Sequence, residues 1–335
     1  MLTTEQNTMF FLMGFQLIMA AQLWRARQRG EKTREQKRER KVDRRGRQSS
    51  KAEPEWKVSY FQRLCENPDV QDPNSVRGKE FRRLFRVPFA IVKWMTDLAV
   101  EKNWHPVAAC SAFGVESAPM MLKIVSVLWL LGHSGTFAGL KSQSGISEQM
   151  MGVFFKLFVR HFVEQLLDVW VSTPSAADLQ ATIDEYAALG FPGCCGSVDC
   201  THVGWDRCPR QYAHAHTGSK GRPTLSYQAV CNHVGYCFSI TAGFTGASND
   251  MTISTFDSYI EKIRSDSYFT SFVFQLYTLT GALRLLTGLY LICDGGYHKW
   301  RIMQCGNKMA QEAFDFWYSA RLGSVRKDIE CFFGT

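Results

Sequence analysis

Gly190–Pro209 reads GFPGCCGSVDCTHVGWDRCP, and this stretch decides what kind of domain the second half of the chain builds. Small and apolar residues lead into Asp199, so an ionisable carboxylate falls in a segment that otherwise reads as a strand. Burying an unpaired carboxylate costs of the order of several kcal/mol, so Asp199 calls for a cation, a donor network or a catalytic task.

Beyond Ala187 the pattern is one of short strands and helices. LSYQAVCNHVGYCFSITAGF reads as two strands, Leu225–Asn232 and Tyr236–Phe244, turning at Val234-Gly235. NDMTISTFDSYIEKI reads as a helix opening near Asn249 or Asp250, and GLYLICDGGY as a second buried strand ending in Asp294. MAQEAFDFWYSARLGSVRKDIECFFG reads as a long helix. Its apolar Phe314, Trp317, Leu322, Val325, Ile329 and Phe332 leave Glu330 near the edge of the buried face. The sum is an α/β domain.

Two strands thus end in an isolated Asp, and a helix carries a Glu. If the strands are neighbours, Asp199 and Asp294 emerge side by side and Glu330 completes the cluster from the packed helix. Three carboxylates meeting without basic partners repel one another, and a hard divalent cation, Mg²⁺ or Mn²⁺, resolves the conflict through its preference for oxygen ligands. Two such ions about 4 Å apart activate a water on one side of a phosphodiester and stabilise the leaving oxygen on the other.

Four ordered blocks, GFPGCCGSVDCTHVGW…CP, GASNDMTIS, YLICDGGYHKW and SARLGSVRKDIECFFG, resemble the DDE nuclease domain of PIF/Harbinger-type transposases and the nucleases derived from them. The resemblance covers about residues 75–334. It implies an RNase H-like mixed sheet with flanking helices, and DNA cleavage with two divalent ions. It puts the catalytic, metal-binding triad on Asp199, Asp294 and Glu330. Asp250 falls on another family motif position, where a helix cap ranks ahead of shaping the site, touching substrate or catalysis. His202, three residues after Asp199, reads either as a hydrogen-bonding neighbour of the site or as an imidazole satisfied in the core. Similar elements rely on a Myb-like DNA-binding partner protein, so one is expected here, and a homo-oligomer fits the same picture. The resemblance further implies a shortened C-terminus, because Glu330 is followed by only five residues. The alternative is a non-catalytic DNA-binding or adaptor protein that keeps the fold.

YFTSFVFQLYTLTGALRLLTG (268–288) is apolar for its place and reads as a buried strand-helix insertion or as a product of an imperfect gene model. In HAHTGSKGRP, Lys220 and Arg222 either reach a phosphate backbone or belong to a polar hairpin loop. His214 and His216 alone are too few for a zinc site. No phosphate-binding glycine motif occurs.

The preceding region, 56–186, has helical periodicity. Pro88 and Pro119 open helices, the second apolar on nearly every side and so central to a bundle. A short helix around Thr136–Lys141, a turn at Ser144-Gly145-Ile146 and a long helix from Ser147 make a helix-turn-helix-like element. Gln149, Lys156 and Arg160 on its second helix either read DNA or decorate an ordinary bundle.

The chain has a net charge of +8, all of it in the first 51 residues, where 13 Lys/Arg face five Asp/Glu; the remaining 26 basic and 26 acidic residues cancel. Residues 1–55 therefore form a third region. Within it, 9–24 (MFFLMGFQLIMAAQLW) is shorter than the roughly 20 residues a membrane helix needs. It reads as a helix docking on the protein's own core or on a partner, with a signal anchor as the alternative. Residues 25–47 carry Glu31, Glu35, Glu39 and Asp43 at helical spacing among arginines. They read as a nuclear localisation signal or phosphate-gripping arm, or as a solvated linker. A nuclear DNA-binding protein is expected, without a membrane. Eleven cysteines with no CxxC pair point to reduced thiols in an intracellular protein.

Overall fold

The computed structural model describes residues 53–333 apart from 106–115, 134, 207, 279, 308 and 310. The apolar run 9–24 and the basic arm 25–47 lie outside the described residues. Among the described residues, no helix is long and apolar enough to cross a membrane. The chain divides into two compact units near residue 168.

The first unit is helical. Helices α1 (Tyr60–Glu66), α2 (Val76–Phe85), α3 (Phe89–Glu101), α4 (Met120–His133) and α5 (Phe137–Ser144) lead into α6 (Glu148–Trp170), which runs across the division. Ser59 and Ser75 cap α1 and α2 by accepting from the N–H groups of Gln62 and Gly78. Helix α4 is the central element, because every residue from Leu122 to Leu128 is buried. That run includes Lys123, whose Nζ lies 3.3 Å from Nδ1 of His105 and whose amine is pushed down by burial. Phe61, Phe81 and Phe85 pack edge to face, with centroids 5.0 Å apart for Phe61–Phe85 and 4.6 Å for Phe81–Phe85.

A short helix, α5, a tight turn and the long α6 follow one another close to where the spacing predicts. Gly145 ends α5 in the left-handed region at φ 66°. A Cβ there would lie 2.6 Å from backbone atoms of Glu55 and Trp56, so both conformation and close approach require glycine. Ser147 Oγ accepts from the Met150 N–H at 3.3 Å and starts α6.

The second unit, from residue 168, takes in α7 (Ala176–Ala188), then β1 (Cys194–Gly204), α8 (Arg210–His216), β2 (Thr224–Cys231), β3 (Cys237–Ile240) and β4 (Phe244–Thr245). Helices α9 (Asp250–Ser254), α10 (Ser258–Ser265) and α11 (Ser267–Thr270) follow. The rest is β5 (Val273–Tyr277), β6 (Leu283–Thr287), β7 (Tyr290–Cys293), β8 (Met303–Cys305) and α12 (Ala313–Phe332). The main sheet has the order β3-β2-β1-β7-β8, with β4 also on β2. β1, β2 and β3 pair antiparallel, whereas β1–β7 and β7–β8 are parallel. The unit is a mixed α/β fold.

Alternation along the strands fills two cores. Cys194 and Ile292 pack with Tyr186, Leu322 and Val325, so α12 covers that face. Cys195, Val198, Leu291 and Cys293 pack on the other side with Tyr259, Ile260 and Ile263 of α10, joined by Leu179 and Ile183 of α7. The β1–β7 register shifts between Cys194 and Ser197, across Gly196 at φ 153°. The ten described cysteines are free thiols, and burial pushes those of Cys194 and Cys293 up to about 12, so they pack as small hydrophobes.

Several sequence expectations need correction. Asp199 lies in the middle of β1 and not at its end, because pairing with β2 carries the strand on to Gly204. The segment read as one helix from Asn249 is two, α9 and α10, because Asp257 caps a new helix start. The strand read over Tyr236–Phe244 is split into β3 and β4; between them Gly243 passes so close to Tyr227 that a Cβ would lie 2.9 Å from its hydroxyl. Residues 268–288 are not a buried strand-helix insertion. They form the short α11 and a separate β5–β6 hairpin whose outward Val273, Tyr277, Leu283 and Leu285 are exposed. In α12, Leu322, Val325, Ile329 and Phe332 are buried, but Phe314 and Trp317 are 52% and 64% exposed. The first turns of that helix carry apolar residues that the sheet does not cover.

Candidate active site

The parallel pairing of β1 and β7 sets the site. Ser197 pairs with Ile292, and two residues further on come Asp199, within β1, and Asp294, just past the end of β7. Both carboxylates therefore fall at the same level of adjacent strands, on the side covered by α12. Asp294 Oδ1 accepts the Gly296 N–H at 2.8 Å, which turns the chain back immediately after the strand.

Gly296 admits a third carboxylate. A Cβ at this position would lie 3.0 Å from Asp294 Oδ1 and 3.0 Å from Asp250 Oδ2, so these two oxygens are no more than about 6 Å apart. Asp250 is brought there by α9, whose N-cap is Asn249, with Oδ1 accepting the Thr252 N–H at 2.7 Å. The helix-cap role ranked first for Asp250 thus belongs to its neighbour. A cap must stand just outside the helix, and Asp250 is already the first residue within it.

Glu330 arrives through an arginine. Arg326 donates from Nη1 to Asp199 Oδ2 and from Nη2 to Glu330 Oε1, both at 2.7 Å. Arg326 and Glu330 are one turn apart on α12, and the helix packs on β1 and β7 through Val325 and Leu322. The expectation of carboxylates without a basic partner is therefore corrected. A guanidinium lies between two of them.

Burial pushes the Asp199 carboxyl above its ordinary range; Arg326 and the Cys200 N–H pull it partly back, while Asp294 raises it further. His202 Nδ1 shares hydrogen bonds with the hydroxyls of Thr224 at 3.1 Å and Ser226 at 3.0 Å. Burial, and after it Lys220, lowers its affinity for a proton. Lys220 and Arg222 are exposed, with Arg222 Nη1 4.0 Å from Asp206 Oδ1. In the helical unit, Gln149, Lys156 and Arg160 are exposed along one face of α6.

Among the described residues, no group of three His, Cys, Asp or Glu side chains is arranged as a ready metal cage. The donor chemistry nevertheless fits a hard divalent ion, since every candidate ligand is a carboxylate. The site's demand for positive charge is visible in the protein's own guanidinium, held by two of those carboxylates.

A family model described as plant transposon protein matches residues 168–335. The chain belongs to this family. No curated protein and no solved structure matches it. The matched span begins where the sheet unit begins, and it contains all four carboxylates of the cluster.

Arg326 is the residue that sequence reasoning missed. Its signal was present as an arginine four positions before Glu330 on a helix, the spacing at which opposite charges meet. That spacing accounts for the contact with Glu330 and says nothing of Asp199, which lies 127 positions away.

Proposed function

We propose that this transposon-family protein is a metal-dependent DNA endonuclease of the PIF/Harbinger DDE type, with an RNase H-like sheet unit. Supporting the fold reading is the strand order, in which three antiparallel strands are followed by two parallel ones. The observation that carries the function is the level placement of Asp199 and Asp294 on adjacent parallel strands, with Glu330 drawn toward Asp199 by Arg326.

Asp199 and Asp294 would hold Mg²⁺ or Mn²⁺, with Glu330 on a second ion or orienting water. Such ions, when bound, supply an activated water and charge stabilisation of the leaving oxygen. The chain's own contribution is positional. The strands fix two carboxylates on rigid backbone, and α12 presents the third from a packed face. Asp250 adds negative charge beside Asp294. Lys220 and Arg222, and Gln149, Lys156 and Arg160 on α6, are the candidate DNA contacts, giving affinity that falls steeply with salt. Nuclear location, a Myb-like DNA-binding partner and self-association belong to the same proposal.

The test uses the full chain, supercoiled plasmid and Mn²⁺. Nicking that disappears in Asp199→Ala and in Asp294→Ala supports the nuclease. Retention of DNA with no nicking by the unaltered protein overturns it in favour of a non-catalytic adaptor.

A further inference from the structure

Arg326 does not fork onto one carboxylate, the arrangement that gives the strongest arginine pair. It splits, giving one terminal nitrogen to Asp199 on β1 and the other to Glu330 on α12. The bond to Glu330 is an ordinary contact within a helix, whereas the bond to Asp199 ties the helix to the sheet. The side chains of Arg326 and Asp199 are 18% and 19% exposed, and that of Glu330 is 41% exposed. Water thus reaches all three, and the arginine has a way out. Asp199, Asp294, Asp250 and Glu330 bring four carboxyls together, against which Arg326 sets one hydrogen-bonded positive charge.

We infer that Arg326 is an internal counter-cation: it holds Asp199 and Glu330 in the metal-free protein and gives up Asp199 when a divalent ion binds, so that guanidinium and ion are alternative partners of that carboxylate. This rests on the metal-dependent reading above. A group that occupies a ligand's position lowers the apparent affinity by the fraction of molecules it blocks. The same group protects the metal-free fold, because an uncompensated buried carboxylate is destabilising. Arg326 is a positioning residue in this scheme. It sets where Asp199 and Glu330 sit before the ion arrives and how tightly the ion is then held.

The experiment measures Mn²⁺ binding to the full chain without DNA, by calorimetry and by the loss of the free-Mn²⁺ paramagnetic signal. Thermal melts in EDTA and in Mn²⁺ run alongside. The expected result is that Arg326→Ala binds Mn²⁺ about five- to tenfold more tightly than the unaltered protein. It should also melt lower in EDTA and recover more of its melting temperature on adding Mn²⁺. Should the alanine variant fail to fold, Arg326→Gln keeps a donor toward Asp199 without the charge and should show the same direction. Equal or weaker Mn²⁺ binding by the folded variants overturns the exchange while leaving a metal-dependent nuclease intact. No Mn²⁺ binding by the unaltered protein or by either variant overturns the metal reading itself, and the exchange with it.

Discussion

Two aspartates in the sheet unit, one buried and one partly exposed, make opposite use of their charge. Asp257, 2% exposed, heads α10. Its Oδ1 accepts from the Tyr259 N–H at 2.9 Å, the Ile260 N–H at 3.3 Å and Ser239 Oγ at 3.0 Å, and its Oδ2 from Gln228 Nε2 at 2.8 Å. Four neutral donors meet a group with about four acceptor positions, so nothing further is wanted. Asp199 is bonded by one backbone N–H and one guanidinium, and has another carboxylate close enough to raise its proton affinity. A closed set of neutral donors makes a structural carboxylate. A carboxylate held by a displaceable cation among its own kind makes a candidate catalytic one.

The contrast breaks first, and most visibly, in activity. Asp199→Ala and Asp294→Ala should each lower Mn²⁺-dependent plasmid nicking at least about a thousandfold, roughly 4 kcal/mol of barrier. Asp257→Ala should nick at close to the unaltered rate per folded molecule. Equal losses in all three, measured on protein shown to be folded, would erase the distinction.

Stability should run the other way. Removing the Asp257 carboxyl strands a buried amide and a hydroxyl and uncaps α10, which should cost about 3 kcal/mol in urea unfolding. A change under about 0.5 kcal/mol would mean that water replaces those bonds freely.

A smaller effect is expected at Gly296, where an added Cβ would press on Asp294 and Asp250 at 3.0 Å each. Gly296→Ala should reduce nicking about tenfold by moving carboxylates whose positions matter to a fraction of an ångström. Its urea midpoint should stay near that of the parent. Unchanged nicking would remove Asp250 and the DGG turn from the site.

The smallest signal is in pH dependence. Asp199 holds its proton more tightly in the folded chain than in the unfolded one, chiefly because it is buried. Its contribution to stability is therefore fully present below the ordinary Asp range and is lost as pH rises through the raised folded value. Melts across the acidic range should show the unaltered protein losing ground to Asp199→Asn as pH rises. The opposite slope would mean that Arg326 outweighs burial.

Much of this was legible from local pattern. Alternation and turn residues located β1, β2 and β7, and helical spacing located α4, α6 and α12, because period and punctuation are properties of neighbouring residues. Asp199 and Asp294 stood out for the same reason, as charges in apolar runs. The exposed Phe314 and Trp317 and the outward face of the β5–β6 hairpin were misread as core, since apolarity tells what a residue prefers and not whether a neighbour covers it.

What the chain determined by itself was the inventory: apolar stretches that carry lone carboxylates, a helix with Arg326 one turn before Glu330, and glycines where backbones must approach. Only the folded unit decided that β1 and β7 lie parallel and in register, that Asp250 reaches Gly296, and that Arg326 bonds Asp199. The physical reason is range. Backbone propensity acts over a few residues, whereas the meeting of charges 127 positions apart depends on strand register and on how one helix seats against a sheet.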